Sequence, residues 1–258
     1  MEKEIKRRKF RTGIPGFDEL FREGIPEGNA ILVEGGPGSG KTVFCLHVAI
    51  NACKRGKKVL YMSFEEPKDR LKSHINAFGW DSEKYEKKGL LMIKRFNALD
   101  VARSVEALLS EAKRELLIDI QPVLIPRGFE PDIVCLDSLS SISSAFSGEE
   151  ARFRIYMEQL FRHLENTNTT SFLIRETPNP AHIGAIVSEK GEAVSFLSDG
   201  IIVLYNIIYS TGNRGRAIEI LKMRGEDIDR RIVEVRIVNK KGFVVTPNRQ
   251  LKGEYKLS

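Results

Sequence analysis

The feature that most constrains this chain is a glycine-rich segment, GGPGSGKT at residues 35–42, which lies between two apolar stretches. Residues 30–34 form a short apolar run bounded by glycines, which predicts a buried strand, and the apolar spacing from Lys41 to about Arg55 predicts a helix. In between, the spacing G-x-x-x-x-G-K-[ST] lets consecutive backbone N–H groups face an anion at the positive end of that helix. The segment therefore predicts a phosphate-binding loop that opens an α/β domain.

The chemistry of this loop predicts a nucleoside triphosphate and a magnesium ion as its occupants. Lys41 is expected to reach the β and γ phosphates as a point charge, and the Thr42 hydroxyl is expected to bind Mg²⁺. We therefore expect ATP or ADP with Mg²⁺ at this position. The residues predicted to contact the nucleotide are Gly35, Gly36, Pro37, Gly38, Ser39, Gly40, Lys41, Thr42 and Val43.

Acidic residues follow two further apolar runs. Asp137 ends the run at 132–137, and it is the predicted magnesium acid because Mg²⁺ in such a site needs a carboxylate at the end of a neighbouring strand. Glu65 and Glu66 follow the run at 58–64, where a carboxylate can orient or deprotonate the attacking water. Both are candidates for that role, and Glu65 is the preferred base. The alternative interpretation of the pair is a polar strand end before Pro67.

Strands and helices alternate along most of the chain, with helices predicted at 41–55, 69–78, 100–117 and 148–164. Closely spaced strands are predicted at 200–205, 217–223, 232–238 and 242–245. This pattern predicts a mainly parallel central sheet with helices on both faces and antiparallel C-terminal strands. Since no convincing linker divides the pattern, we expect a basic N-terminal arm at 1–11 and a single domain at 12–258.

Composition narrows the class of protein further. Charged residues make up 29% and hydrophobic residues 41% of the chain, which is typical of a globular protein in water, and no apolar run approaches the ~20 residues that cross a bilayer. We expect a cytoplasmic protein without membrane contact, in which Cys45, Cys53 and Cys135 are buried free thiols. The net charge of +6 includes a basic cluster at 6–11, which is either a solvated arm or a contact with a polyanion.

Five segments, taken in order, resemble the KaiC-like ATPases of the RecA superfamily, of the single-domain, archaeal type. They are TGIPGFD at 12–18, the phosphate loop, SFEE at 63–66, LDS at 136–138 and ILKMRG at 220–225. The resemblance spans roughly residues 11–247. It implies a RecA-type P-loop core, ATP bound between adjacent subunits of a ring that is commonly a hexamer, and a paired Glu65 and Glu66 that serve hydrolysis.

The same resemblance implies that Lys222 and Arg224 reach the nucleotide of the neighbouring subunit. A cation supplied in this way stabilises charge on the γ-phosphate in the transition state, whereas the alternative interpretation is an alternating strand with outward charges. The chain departs from the family at Ile228 and Asn239, where a His and an Asp are frequent. How the adenine base is recognised is therefore left open. KaiC itself has two such domains and a phosphorylated Ser/Thr pair, so no clock function is inferred.

The sequence leaves three functions open. The first is a ring-forming, magnesium-dependent ATPase that couples its ATP state to assembly or to the regulation of an unidentified partner protein. The second is a recombinase-like ATPase that binds single- or double-stranded DNA through residues 176–198, although that stretch contains only one cation, Lys190, and only one aromatic residue, Phe196. The third is a nucleotide sensor that does not hydrolyse ATP, against which Glu65, Glu66 and Asp137 argue.

Overall fold

A large mixed sheet forms the centre of the molecule. The structure is a computed structural model that describes residues 8–112, 124–126, 128–177, 194–251 and 254–257. Its strands are β1 (Lys9–Phe10), β2 (Ile25–Pro26), β3 (Ala30–Gly35), β4 (Val59–Ser63), β5 (Leu91–Arg95), β6 (Ile133–Asp137), β7 (Thr170–Glu176), β8 (Gly200–Tyr209), β9 (Arg214–Met223), β10 (Val233–Val238), β11 (Gly242–Gln250) and β12 (Tyr255–Leu257). Its helices are α1 (Lys41–Lys54), α2 (Lys68–Ala77), α3 (Ser82–Lys87), α4 (Ala98–Ala112), α5 (Leu139–Ala145) and α6 (Glu150–Asn166), with a short 3₁₀ helix at Asp18–Leu20.

The strand order confirms the predicted fold class. Within the described residues the main sheet runs β11-β10-β9-β8-β3-β7-β6-β4-β5, with β12 also paired to β8. The strands from β8 through β3 to β5 are parallel, whereas β9, β10, β11 and β12 pair in antiparallel fashion. The loop-bearing strand β3 therefore lies between β7 and β8 in the middle of the sheet, so its C-terminal end opens at the edge where nucleotides bind in such folds.

Helices cover both faces of the sheet, as the alternating pattern predicts. Ile31 and Val33 of β3 belong to an apolar cluster that includes α1, α2 and α3, whereas Leu32 points to the opposite cluster with α4, α5 and α6. All three side chains are fully buried. Because successive side chains of a strand point to opposite faces, β3 is apolar on both sides, and this burial fixes the position of the loop that follows it.

The TGIPGFD segment has a structural role at the edge of the sheet. The Asp18 carboxylate accepts hydrogen bonds from the backbone N–H and the hydroxyl of Thr12, at 2.8 and 2.7 Å, which closes a turn. The carbonyl of Pro15 then accepts a hydrogen bond of 2.9 Å from the N–H of Val245 in β11. Gly16 has a φ of +74°, and a Cβ there would lie 2.0 Å from the Val245 carbonyl oxygen. The segment thus covers an otherwise open sheet edge and requires glycine where it approaches β11.

Several element bounds differ from those expected from the pattern. The short helices α3 and α5 were not predicted; their caps explain them, because the side chains of Asp81 and Ser138 accept hydrogen bonds from the first turns. Strands β8 and β9 extend beyond the predicted runs and meet at the turn 210–213. The helix predicted at 100–117 begins at Ala98 and is described to Ala112; its predicted end at 117 and most of the loop expected at 120–129 lie outside the described residues.

Two expectations about the ends and the thiols can be compared with the structure. Lys6 and Arg7 of the basic arm lie outside the described residues, but Lys9 and Phe10 form β1, which pairs with β2. The three cysteines are buried free thiols, as expected. Across the described part of the chain, none of the helices has the length and apolarity to cross a bilayer.

Candidate functional site

The phosphate loop connects β3 to α1 as predicted. Gly38 and Gly40 have φ values of +73° and +106°, which side chains rarely adopt, and Gly40 immediately precedes Lys41, the first residue of α1. The Lys41 ammonium folds back over the loop and donates hydrogen bonds of 3.0 Å to the carbonyls of Gly35 and of Gly36. Lys41 is only 6% exposed, so its charge lies inside the curl of the loop and not in solvent.

The loop residues fit a polyphosphate group. The first N–H groups of an α-helix have no partner within the helix, and those of Lys41, Thr42 and Val43 therefore point out of the N-terminus of α1 beside the Lys41 charge. The Ser39 hydroxyl is buried without a hydrogen-bond partner in the described structure. Unpaired donors next to a buried cation favour a bound anion. ATP or ADP fits this chemistry.

Thr42 and the predicted magnesium acid are brought together. Asp137 ends β6, and its Oδ2 accepts hydrogen bonds from the Thr42 hydroxyl and the Tyr61 hydroxyl, both at 2.9 Å. Asp137 is 5% exposed, and burial raises its pKa from 3.8 to about 6, although the two hydrogen bonds oppose this shift. A cation bound there would restore the charged form.

The donor set suits Mg²⁺ held jointly by protein and nucleotide. Among the described residues, no group of three or more His, Cys, Asp and Glu side chains could hold a metal ion by itself. Mg²⁺ commonly takes one or two protein oxygens, keeps several waters and binds phosphate oxygens of its substrate. Thr42 and Asp137 supply the protein oxygens that such a site needs.

Glu65 and Glu66 line one cleft together with Thr42 and Asp137, but their carboxylates contact different groups. The Glu65 Oε1 accepts hydrogen bonds from the hydroxyls of Ser138 and Ser141, at 2.6 and 3.2 Å. The Glu66 Oε2 lies 3.5 Å from Nδ1 of His74 in α2. Glu65 is also close enough to Asp137 for its negative charge to contribute to the raised pKa of that carboxyl group.

A cleft of about 320 Å³ joins these groups. Besides the predicted residues, it is lined by Ile237 and by three residues with polar or charged side chains that the sequence patterns had not pointed to, Glu176, Arg216 and His74. The Glu176 carboxylate lies 3.4 Å from the Lys41 ammonium, and Arg216 donates a hydrogen bond of 3.0 Å to the Gly38 carbonyl.

The sequence contained a usable signal for only one of these three residues. Glu176 ends β7, the strand beside β3, and the rule that located Asp137 at a strand end applies to it as well. Arg216 and His74 have no comparable signal, because a pairing register and the orientation of a helix bring them to the cleft.

Lys222 and Arg224 lie away from this cleft. The backbone N–H of Arg224 donates a hydrogen bond of 2.8 Å to the Asp199 carbonyl, and the backbone N–H of Asp199 donates one of 2.8 Å to the carbonyl of Ala30 at the start of β3. Ala30 is five residues before Gly35, or about 16 Å along a strand. The Arg224 side chain contacts the Asp199 carboxylate at 3.5 Å, and Lys222 donates hydrogen bonds to the carbonyls of Ser195 and Ser198, at 3.1 and 2.5 Å. Neither cation reaches the phosphate loop of this chain.

The remaining predicted features are described only in part. Lys190 and most of the loop at 176–198 lie outside the described residues, while Phe196 is 73% exposed and its carbonyl accepts a hydrogen bond from Arg224. Ile228 forms an isolated bridge with Phe21 and packs against the core. Asn239 lies in the turn between β10 and β11. Neither of the last two residues lines the cleft.

Comparison with known proteins supports the same family along nearly the whole chain. A family model described as "ATPase: KaiC" matches residues 10–250. The circadian clock protein KaiC3 of Synechocystis is 31% identical over 255 residues, which cover 97% of this chain and 48% of the relative. The chain therefore spans about half the length of KaiC3.

Two relatives from Pyrococcus horikoshii match over nearly their full length. A UPF0273 protein is 31% identical over 252 residues, which cover 95% of this chain and 96% of the relative. The crystal structure of a KaiC-like protein superposes with a TM-score of 0.73 at 28% identity, and the match covers 93% of this chain and 100% of that one. With the phosphate loop, the strand-end acids and the RecA-type sheet in place, these matches show that the chain belongs to the KaiC family of ATPases.

Proposed function

We propose that this protein binds MgATP in the cleft at the end of β3 and hydrolyses it to ADP and phosphate. The observation that carries the proposal is the contact of 2.9 Å between the Thr42 hydroxyl and the Asp137 carboxylate. It joins the phosphate loop to an acid of another strand at the point where Mg²⁺ needs oxygen ligands. The Lys41 ammonium, 3.0 Å from two loop carbonyls, is available to turn to the β and γ phosphates.

Thr42, Asp137 and Glu65 have distinct roles in this proposal. Thr42 and Asp137 would hold Mg²⁺, which would neutralise negative charge on the phosphates. Glu65 orients the attacking water and accepts its proton while the water oxygen bonds to the γ-phosphorus and the bond from that phosphorus to the bridging oxygen of ADP breaks. The hydrogen bonds from Ser138 and Ser141 keep the Glu65 carboxylate in one orientation.

The test separates binding from hydrolysis. Glu65→Gln keeps the size of the side chain and loses the base, so we expect kcat to fall by about 100-fold or more while the Kd for MgADP changes little. Lys88→Gln, an exposed change after α3, is the matched control. Wild-type turnover in Glu65→Gln would refute the role of Glu65, and no turnover in the wild type would refute hydrolysis itself.

We further propose that the active form is a ring in which Arg224 of one subunit completes the site of the next. The supporting observation is that Arg224 lies about 16 Å along the strand direction from its own loop, and that its side chain is 58% exposed. An arginine supplied to the γ-phosphate accelerates hydrolysis by about 10³-fold or more. In such an assembly the contacts between subunits differ between the ATP-bound and the ADP-bound form, and a partner protein can bind the two forms differently.

Mixing two inactive variants tests the shared site. Lys41→Ala removes the phosphate lysine and Arg224→Ala removes the trans cation, so each variant alone is expected to be inactive. In mixed rings, about a quarter of randomly formed interfaces combine an intact Lys41 with an intact Arg224. Partial recovery of activity on mixing is therefore expected, whereas no recovery in rings shown to be mixed would contradict a site shared between subunits.

A further inference from the structure

Among the described residues, one buried carboxylate oxygen of the cleft has no hydrogen-bond donor. Asp137 is held by Thr42 and Tyr61, and Glu65 by two serine hydroxyls. The Oε2 of Glu66 is buried, and within the described residues it has no hydrogen-bond partner. The Nδ1 of His74 lies 3.5 Å from this oxygen. A buried acceptor without a donor costs free energy. A hydrogen bond from the His74 imidazole to Glu66 would remove that cost.

The backbone on both sides of this contact is fixed. Ser63 at the end of β4 accepts a hydrogen bond from the Glu66 N–H at 2.9 Å and donates one to the Glu66 carbonyl at 2.8 Å. Helix α2 is anchored by Leu71 and Ile75, which are fully buried. Because both attachments are rigid, rotation of the two side chains alone brings His74 and Glu66 into hydrogen-bonding distance.

We propose that His74 is a positioning residue of the hydrolytic site, which holds the Glu66 carboxylate as a second acceptor for the attacking water. The proposal rests on the hydrolysis proposed above. An attacking water has two protons: Glu65, held by serines, takes the one that is transferred, and Glu66, held by the imidazole, accepts a hydrogen bond from the other. Two acceptors fix the water more tightly than one, and such orientation lowers the barrier without changing how tightly the nucleotide binds.

A packing role for His74 would have different consequences. Its side chain is 45% exposed and lines the cleft, so removing the imidazole leaves no large cavity. Replacement by alanine is therefore expected to affect the step in which the water attacks and to leave folding and nucleotide affinity nearly unchanged.

The test is a double-mutant cycle on ATP hydrolysis. We expect His74→Ala to lower kcat by about tenfold, the value of one hydrogen bond to a charged group, with KM for MgATP and Kd for MgADP within about twofold of wild type. His74→Asn keeps an N–H donor at a similar distance and is expected to recover most of the loss. Ser73→Ala, which removes only a hydrogen bond within α2 to the Asp69 carbonyl, is the matched control.

The cycle is completed in the Glu66→Gln background. If His74 acts through Glu66, His74→Ala has no further effect on kcat there. Three outcomes would overturn the proposal: wild-type kcat in His74→Ala, an equal loss with and without Glu66, or a rise in KM at unchanged kcat. Wild-type turnover is measured first, so a wild-type protein without ATPase activity would count against the proposed function and not against the role of His74 alone.

Discussion

Lowering the pH is expected to weaken this fold through His47, which lies in the phosphate-loop helix α1. The Nδ1 of His47 accepts a hydrogen bond of 3.2 Å from the N–H of Phe243 in β11, and the imidazole ring stacks on Trp80 with a centroid distance of 4.5 Å. His47 is only 4% exposed. A proton on Nδ1 would place two donors face to face and would charge a buried ring. Burial, followed by the charge of Lys54, lowers the pKa of His47 from 6.5 to about 4.

The size of the effect follows from linkage. Because the folded pKa is depressed, the unfolded chain binds the proton more readily, so the contribution is fully present above about pH 6.5 and is lost as the pH falls toward 4. Between pH 8 and pH 5 the free energy of unfolding falls by about 2 kcal/mol. At pH 5 the unfolded chain is favoured over the folded one by proton binding to His47 by a factor of about 30, and RT, about 0.59 kcal/mol, multiplied by the logarithm of this factor gives that value.

Urea unfolding followed by fluorescence measures this loss directly. Trp80 is the only tryptophan of the chain, and it stacks on His47, so its emission reports on the region concerned. His47→Gln retains an acceptor for the Phe243 N–H but does not titrate, and it is the control. We expect the wild type to lose about 2 kcal/mol more than His47→Gln between pH 8 and pH 5. An equal loss in both proteins would refute the assignment.

Two further predictions concern Asp137 and the contact of Gly16 with the edge of the sheet. Because burial raises the pKa of Asp137 to about 6, the charged form of Asp137 destabilises the nucleotide-free protein above that pH. Asp137→Asn is therefore expected to raise the Tm at pH 8, because the free energy of unfolding increases by up to about 3 kcal/mol. The same substitution is expected to remove the Mg²⁺ dependence of ATP binding measured by calorimetry. A lower Tm in Asp137→Asn would contradict this. Gly16→Ala is expected to lower the free energy of unfolding in urea by about 2–4 kcal/mol, because its Cβ would lie 2.0 Å from the Val245 carbonyl oxygen. Gly56 is the control, because it has a φ of +80° but no atom within 4 Å of an added Cβ. Gly56→Ala is expected to lower the free energy of unfolding by about 1 kcal/mol. Equal losses of unfolding free energy in the two variants would show that the close approach of Gly16 to β11 does not affect stability.

Local patterns were sufficient to predict that the glycine-rich loop joins a strand to a helix and that Asp137 lies beside Thr42. The phosphate loop is built from backbone, so glycine spacing and the flanking apolar runs determine it. Asp137 could be expected near Thr42 because the C-terminal ends of parallel strands share one edge of the sheet. The contact at 2.9 Å is consistent with that reasoning. The same rule would have found Glu176, had it been applied to the strand beside β3.

Other contacts depend on parts of the chain that are far apart in sequence. Arg216 reaches the loop only because it pairs with Asn206 on β8 and β8 pairs with β3. No local pattern contains that register. The TGIPGFD segment served as a family signature, but its role at the edge of β11 depends on the contact between Pro15 and Val245 near the opposite end of the chain. Sequence patterns therefore indicate which residues matter here more readily than what they touch.

Titration calorimetry of MgATP and MgADP into folded protein measures the proposed nucleotide binding itself. We expect one binding site per chain in the wild type, weakened by removal of Mg²⁺ and lost in Lys41→Ala, whose folding is checked by circular dichroism. The buried ammonium of Lys41, within 3.0 Å of two loop carbonyls, is the basis of that expectation. Absence of binding by the wild type, or undiminished binding by folded Lys41→Ala, would show that this loop is not the nucleotide site.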